Sequence, residues 1–391
     1  MAAMKLLFLL LAYVQGSPFD PHPLVRRPYG SFFDGWFLRV VDHAHNRSLA
    51  FVVGAYQPPS HPVAEYESSW MSIMVASADG STVTEQTLAA GVTIVQSGGT
   101  APPFAPDFTA PPRFEVSVPS ILSLRVDGDE VELDASINGL RVEVHVAAPR
   151  VPWDATAPNG AGPEGVLRFA PSSLLPCHYF VHSLGSPSQY SVHRDDEGGA
   201  DAMSGNGFAH LETNYGRLFP TAWVWAQGVD ALGSTSLLVT GGAFVIAGVT
   251  TRTFIVAYRS PTVGELNFRS TDADSITVDR LDGCAGTFAL QAAASVLSAL
   301  WKSELRIDFT ISADPASFSD PLFVPTLAGW SNSPGSVESF HARADVAVSS
   351  ASKGAVETVA LQLVALEFGG SYRCKAHGSD AMSADSDRDE L

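Results

Sequence analysis

The chain has 391 residues and a formal charge of −18, so no basic stripe is available to neutralise phosphates, and nucleic acid is excluded as a partner. Charged residues make up only 16% and hydrophobic ones 46%, with 33 glycines and 26 prolines, a profile of many short strands and turns rather than a helical bundle. This length suffices for two domains whose cores need no staples.

Residues 1–16, MAAMKLLFLLLAYVQG, carry Lys5, an apolar run from Leu6 to Leu11, and small residues at Val14 and Gly16. That is the pattern of a secretory signal peptide, too short to span a membrane. No later stretch reaches 18 unbroken apolar residues, so no transmembrane segment is expected once the signal is removed. An N-terminal β unit is expected over 20–148, with strands at Trp36 to Val41, Ser48 to Val53, Trp70 to Ala76, Ser120 to Val126, Glu130 to Ile137 and Leu140 to Val146. Asn46-Arg47-Ser48 is the usable glycosylation sequon and implies an exposed turn at Asn46, because Asn332-Ser333 is followed by Pro334. Residues 98–112, with five prolines, read as a surface loop, and Asn138-Gly139 as a hairpin turn.

The Pro/Gly-rich segment 149–165 reads as a linker to a C-terminal β unit over 166–375. Its strands are expected at Tyr179 to Ser183, Ala222 to Gln227, Ser236 to Thr240, Arg252 to Tyr258, Leu305 to Ile311, Phe340 to Val348 and Ala360 to Leu366, while Phe288 to Trp301 fits helix or strand. The fold class is therefore mainly β: two antiparallel barrel or sandwich units with few helices. An acidic tail, 376–391, ends in Arg388-Asp389-Glu390-Leu391, a retention address for a receptor of the endoplasmic reticulum. Together the two ends place the mature chain in that lumen, with secretion or a complex plastid as alternatives. At most one disulfide can form among Cys177, Cys284 and Cys374. The sequence has no CxxC and no spaced Cys/His cluster, and His178 with His182 lacks a third ligand, so no metal is expected.

Four stretches could carry chemistry: Ser31 to Arg39; Leu175 to Ser183; His210 to Gly228; and Val337 to Ala342 with Ala365 to Gly370. FFDGWFLR resembles the FFEGWYFK signature of the tocopherol cyclase-like family. Ala209 to Gly216, followed by Phe219-Pro220 and Trp223 to Gln227, resembles that family's A-Y-x-E-K-N-W-G…F-P…W-x-W-x-Q motif. The motifs follow in the same order, and the resemblance covers about residues 24 to 372. Thr213, Tyr215 and Asp34 stand where the family has Lys, Trp and Glu.

The resemblance implies paired calycin- or lipocalin-like barrels. It also implies a redox-neutral cyclisation, without cofactor, of an apolar prenylated hydroquinone to a chromanol. That reaction protonates a trisubstituted alkene and captures the tertiary cation with the phenol oxygen. It requires a carboxylic acid kept neutral by burial, with aromatic faces around a dry cavity. Asp34 or Glu212 is the candidate acid. The candidate substrate-binding residues are Trp36, His178, Asn214, Tyr215, Trp223, Trp225 and Gln227. In a strand, Trp223, Trp225 and Gln227 share one face. The alternative function is a non-catalytic carrier of prenylquinones or lipids in the same barrel.

Overall fold

The computed structural model describes residues 31–58, 68–96, 113–146, 149–155, 162–169, 175, 177–194, 203–217, 219–246, 249–272, 274–295 and 304–374. The signal peptide, the 98–112 loop and the acidic retention tail lie outside them. The chain is mainly β, in two antiparallel sheets. Across the first sheet the strands run β4 (Thr82–Ala90), β3 (Ser68–Ala76), β2 (Arg47–Gln57), β1 (Phe32–Asp42), β11 (Met203–Gly216), β10 (Cys177–Arg194), β9 (Leu140–Val146), β8 (Glu130–Ile137), β7 (Leu122–Asp127), β6 (Arg113–Val118) and β5 (Thr93–Gln96). The second runs β15 (Gly264–Arg269), β14 (Val249–Ser260), β13 (Ser236–Ile246), β12 (Ala222–Val229), β21 (Gly354–Gly370), β20 (Gly329–Ser350), β18 (Leu305–Ser312), β17 (Thr287–Ala293) and β16 (Ser275–Asp282), with β19 (Leu322–Thr326) on β20.

Both sheets are wound alike. The first strand of each, β1 or β12, pairs with the last, β11 or β21, and the chain-consecutive β4 and β5, or β15 and β16, form the outer edges. Each sheet curls around its own core. Phe51 of β2 and Ile73 of β3 share a cluster with Leu124 of β7 and Val142 of β9, which a flat sheet would hold far apart. Val224, Val256, Phe288, Ile307, Val346 and Phe368 form the counterpart. The Asn138-Gly139 turn has φ of 51° and 80°, the doubly left-handed geometry that a two-residue hairpin demands. Asn46 is exposed in the β1–β2 turn. Thr287–Ala293 is strand, which settles the front of the ambiguous 288–301 stretch.

The expected linker needs correction. β10 and β11 belong to the first sheet, so the chain changes sheets between Gly216 and Ala222 rather than across 149–165. Pro/Gly-rich composition marks a long connection, but the pairing on its far side depends on strands it does not encode. Residues 149–155 and 162–169 instead strap the first sheet to the second. Arg259 of β14 donates to the carbonyls of Pro152 (2.9 Å) and Trp153 (3.3 Å), and Arg269 of β15 to those of Pro163 and Gly162.

Strands β6 to β9 alternate buried and exposed, as strands covered on one face do. β1 and β12 are buried along nearly their whole length, because their outer faces meet each other's sheet. A third apolar cluster fills that contact, with Trp70, Val181, Leu184, Trp225, Leu238, Phe340 and Ala365. Arg39 of β1, 0% exposed, crosses it. Its Nε donates to Ser48 Oγ (3.0 Å), one terminal nitrogen to the Gln227 carbonyl (3.1 Å) and side chain, and the other to the Leu363 carbonyl. Leu363 sits in a β21 bulge at φ 52°, where its carbonyl escapes the ladder and becomes available to the guanidinium.

Cys284 and Cys374 form the disulfide, tying the β16–β17 turn to the end of β21, and Cys177 is free and buried. Closing 90 residues of sequence separation restricts the unfolded chain. Replacing both cysteines by serine, or reducing the protein, should remove about 2–4 kcal/mol in urea denaturation. Arg39→Leu strands two buried carbonyls and the Gln227 amide, and should cost about 3 kcal/mol or more by the same measurement.

Candidate functional site

The outer faces of β1, β11, β12 and β21 enclose the site, which therefore lies between the two sheets rather than inside either one. Register fixes its members. Phe37 stands opposite Glu212, Gly35 opposite Asn214 and Arg39 opposite His210 across β1 and β11. Trp225 stands opposite Glu367 across β12 and β21, and Glu367 opposite Glu338 across β21 and β20. Side chains directly opposite share a face, so each sheet offers its carboxylates to the other.

Glu212, 4% exposed, is held by three groups on one oxygen. Tyr179 Oη donates to its Oε2 at 2.5 Å, His210 Nε2 at 2.6 Å and Trp225 Nε1 at 3.1 Å. His210 Nδ1 is buried without a partner, which leaves Nε2 as the ring nitrogen that serves Glu212. Burial, and next the charge of Glu212, push the Tyr179 phenol well above its ordinary range, which keeps it a donor. With Oε2 occupied, Oε1 is the oxygen left for the cavities that Glu212 borders.

Two cavities meet at this point. The first runs between Phe37, Val52, Trp70, Phe323 and Trp330. The second runs between Leu167, Trp223, Phe244, Phe254 and Ile255. Glu212, Asn214, Phe219, Trp225 and Glu367 border both and form the wall between them. Two glycines let the tryptophans lie as they do. A Cβ on Gly54 would meet the Trp330 ring at 2.3 Å, and one on Gly369 the Trp223 ring at 1.9 Å. Phe37 packs edge-on to Trp225 at 5.1 Å, and Phe219 edge-on to Trp223 at 4.8 Å.

Burial raises the Glu367 carboxyl to about 7, against hydrogen bonds from Ser336 and Trp223, and nearby Glu212 adds to the rise. Burial, then the charge of Glu367, pushes Glu338 well above the usual carboxylate range, while Arg39 opposes this. The guanidinium is itself lowered to about 10 by burial, with Glu338 raising it. Three carboxyls and one cation thus share a poorly solvated interface. The charges do not balance if all three ionise, which favours keeping protons on some of them.

The structure gathers Glu212, Asn214, Trp223, Trp225 and Gln227 at this interface, Gln227 as a partner of Arg39. It does not bring Asp34 there. Asp34 lies three residues before Phe37, an odd step along β1, and so faces the interior of the first sheet, opposite Tyr215. It cannot share substrate with Glu212 across that strand. Trp36 points the same inward way, with its ring 5.7 Å from Phe114, although the residue borders the first cavity. His178 stacks on Tyr215 at 5.0 Å and bonds Glu164 Oε2 at 2.9 Å, and neither residue borders either of these two cavities. A bulge between Val181 and Ser183 interrupts the alternation beside His182, which meets Arg150 at 3.0 Å. Among the described residues, no group of three His, Cys, Asp or Glu could hold a metal ion.

Arg39, Tyr179, His210, Glu338 and Glu367 were not assigned roles from sequence. For the glutamates a signal was present: each stands alone in an apolar strand, SVESF and VALEFGG, where a charge is costly without a purpose or a partner.

No family model matches the chain, and no curated protein matches it in sequence. Solved structures match in fold. The structure of CghA with Sch210972 aligns with a TM-score of 0.54 at 11% identity, covering 91% of this chain and 97% of that one. CghA alone aligns at 0.50 and 11%, covering 92% and 98%. Kievitone hydratase from Nectria haematococca aligns at 0.47 and 10%, covering 92% and 96%. The two-sheet fold described above is therefore the fold of CghA over nearly the whole of both chains.

Proposed function

We propose that the protein is an enzyme that moves protons, without redox change, on an apolar small molecule held between the sheets. In its specific form the reaction is a tocopherol cyclase-like closure of a prenylated hydroquinone to a chromanol. The observation that carries this reading is the pair Glu212 and Glu367, set in the wall shared by two aromatic-lined cavities. The sequence motifs around Asp34 and Glu212 support it, as does a fold neighbour solved with Sch210972. The signal-like N-terminus, the Arg388–Leu391 tail and the Cys284–Cys374 bridge support a luminal setting in the endoplasmic reticulum, with the tail read by a retention receptor.

In this mechanism Glu367 is the acid. Its proton adds to the less substituted alkene carbon, and a tertiary cation forms on the other. The faces of Trp225, Trp223 and Phe37 stabilise that cation by about 0.5–2 kcal/mol each. A phenol oxygen closes the ring, and its proton passes to the Glu212 carboxylate, whose position Tyr179, His210 and Trp225 fix. Transfer from Glu212 back to Glu367 restores the starting state, so no atoms or electrons are gained or lost. Asn214, bordering both cavities, orients the ring.

Purified protein given a phytyl or geranylgeranyl hydroquinone should yield the chromanol by chromatography; tight binding with no product would instead make it a carrier. Glu367→Gln and Glu212→Gln should each lower turnover about 10²–10⁴-fold. The raised Glu367 carboxyl must hold its proton to act, so kcat/KM should fall as pH rises through about 7. An unchanged descending limb in Glu367→Gln would take the acid role away from Glu367. Tyr179→Phe keeps the ring and removes one donor to Glu212, and should lower kcat with little change in KM.

A further inference from the structure

The two cavities differ in character beyond their common wall. The first carries Ser336 and Glu338 among the flat rings of Trp70, Phe323 and Trp330. Glu338 is 2% exposed, and its Oε1 is buried without a partner. A buried polar atom left alone costs about 1–3 kcal/mol, so a ligand that supplies the missing hydrogen bond gains by filling that position. Trp70 lies tilted against both Phe323 (6.4 Å) and Trp330 (5.9 Å), and an aromatic-lined pocket with a few polar groups suits a planar, oxygen-bearing ring. The second cavity continues past Trp223 to Leu167, Pro220, Phe244, Phe254 and Ile255, with threonines 240, 253 and 271, Tyr179 and Glu164, whose two oxygens are already engaged by His178 and the Tyr179 N–H, as its other polar lining. It suits a long apolar chain.

Resting on the function proposed above, we infer that the cavities are two halves of one site and that the substrate is divided between them. Its oxygen-bearing ring occupies the first cavity against Glu338, its apolar chain fills the second, and the reacting bond lies at Glu212 and Glu367. The shared wall dictates this arrangement. A molecule lying in one cavity alone would leave the carboxyls open to the other, where water could reach a cation. A molecule spanning both closes the site with its own two ends. The specificity is therefore for a phenolic ring with a chain long enough to pass Trp225, while substituents on the ring's far edge meet Val52 and Trp330.

The test reads binding apart from turnover, by quenching of intrinsic tryptophan fluorescence. Three probes are used: a methylated hydroquinone without a chain, the same ring with a phytyl chain, and the dimethyl ether of the latter. Thr253→Phe, in the second cavity, should weaken the phytyl probe tenfold or more and the chainless one less than twofold. Val52→Phe, in the first, should weaken both by similar factors. Wild-type protein should bind the free phenol at least tenfold better than its ether. Ile255→Phe repeats the second-cavity test, and thermal melting identifies any variant that has not folded. The inference is overturned if Thr253→Phe and Ile255→Phe, both folded, weaken the two hydroquinones equally or leave the phytyl probe unaffected. It is also overturned if the ether binds as well as the phenol. Binding in the expected pattern without chromanol formation would defeat the reaction and leave the divided site standing.

Discussion

A single buried guanidinium sets the relation between the two sheets. Arg39 is wholly enclosed, and its partners come from both sides: Ser48 on its own sheet, Gln227 and Leu363 on the other. A fork of five N–H donors requires its acceptors at fixed directions, so the sheets cannot slide without stranding polar groups in an apolar layer. Phe340 packs against the cation at 5.5 Å. Everything else in the site follows from that docking, because Glu212 comes from one sheet and Glu338 and Glu367 from the other.

The same cation bears on protonation at Glu338, where it opposes the rise that burial causes. Glu338 is the carboxylate that its field favours, while Glu367 raises Glu338 and is itself raised by Glu212. One positive charge among three acids leaves the group short of compensation. Burial then decides which acids keep their protons, and Glu367 at about 7 stands where it can give one up and regain it near neutrality. His210 holds Glu212 in place through its Nε2 contact.

Much of the architecture was legible because strands covered on one face alternate visibly. Glu130–Ile137 and Leu140–Val146 match their expected bounds, and Asn138-Gly139 closes them as its residues demand. The motif singles out Glu212, and the fold places it at the border of both cavities. Asp34 misled because a motif records proximity in sequence, whereas the face of a strand depends on counting residues from a known partner. That partner, β11, lies about 180 positions away, and once Phe37 is set opposite Glu212 the inward direction of Asp34 follows by parity. Glu338 and Glu367 could be noticed as isolated acids in apolar strands, yet their meeting with Glu212 required the docking of two sheets, which no local pattern encodes. The domain boundary failed for a related reason. Arg259 and Arg269 hold residues 152–153 and 162–163 to the second sheet, while the short passage from Gly216 to Ala222 makes the actual change.

Placing the site between sheets rather than within a barrel has a physical rationale. Each core is filled by its own side chains, and a carboxyl there would need a ring of partners supplied from one sheet alone. At the interface, two outer faces can each hold strands buried on both sides, with glycines at 54 and 369 giving up their volume to indoles from elsewhere. The resulting layer is dry enough to raise a carboxyl pKa and open enough to leave two adjoining cavities. The like winding of the two sheets brings their first and last strands, β1 with β11 and β12 with β21, face to face at that layer. Chemistry is thereby confined to the strands that hold each sheet closed, so a change that loosens the docking should reach the acids before it reaches either core.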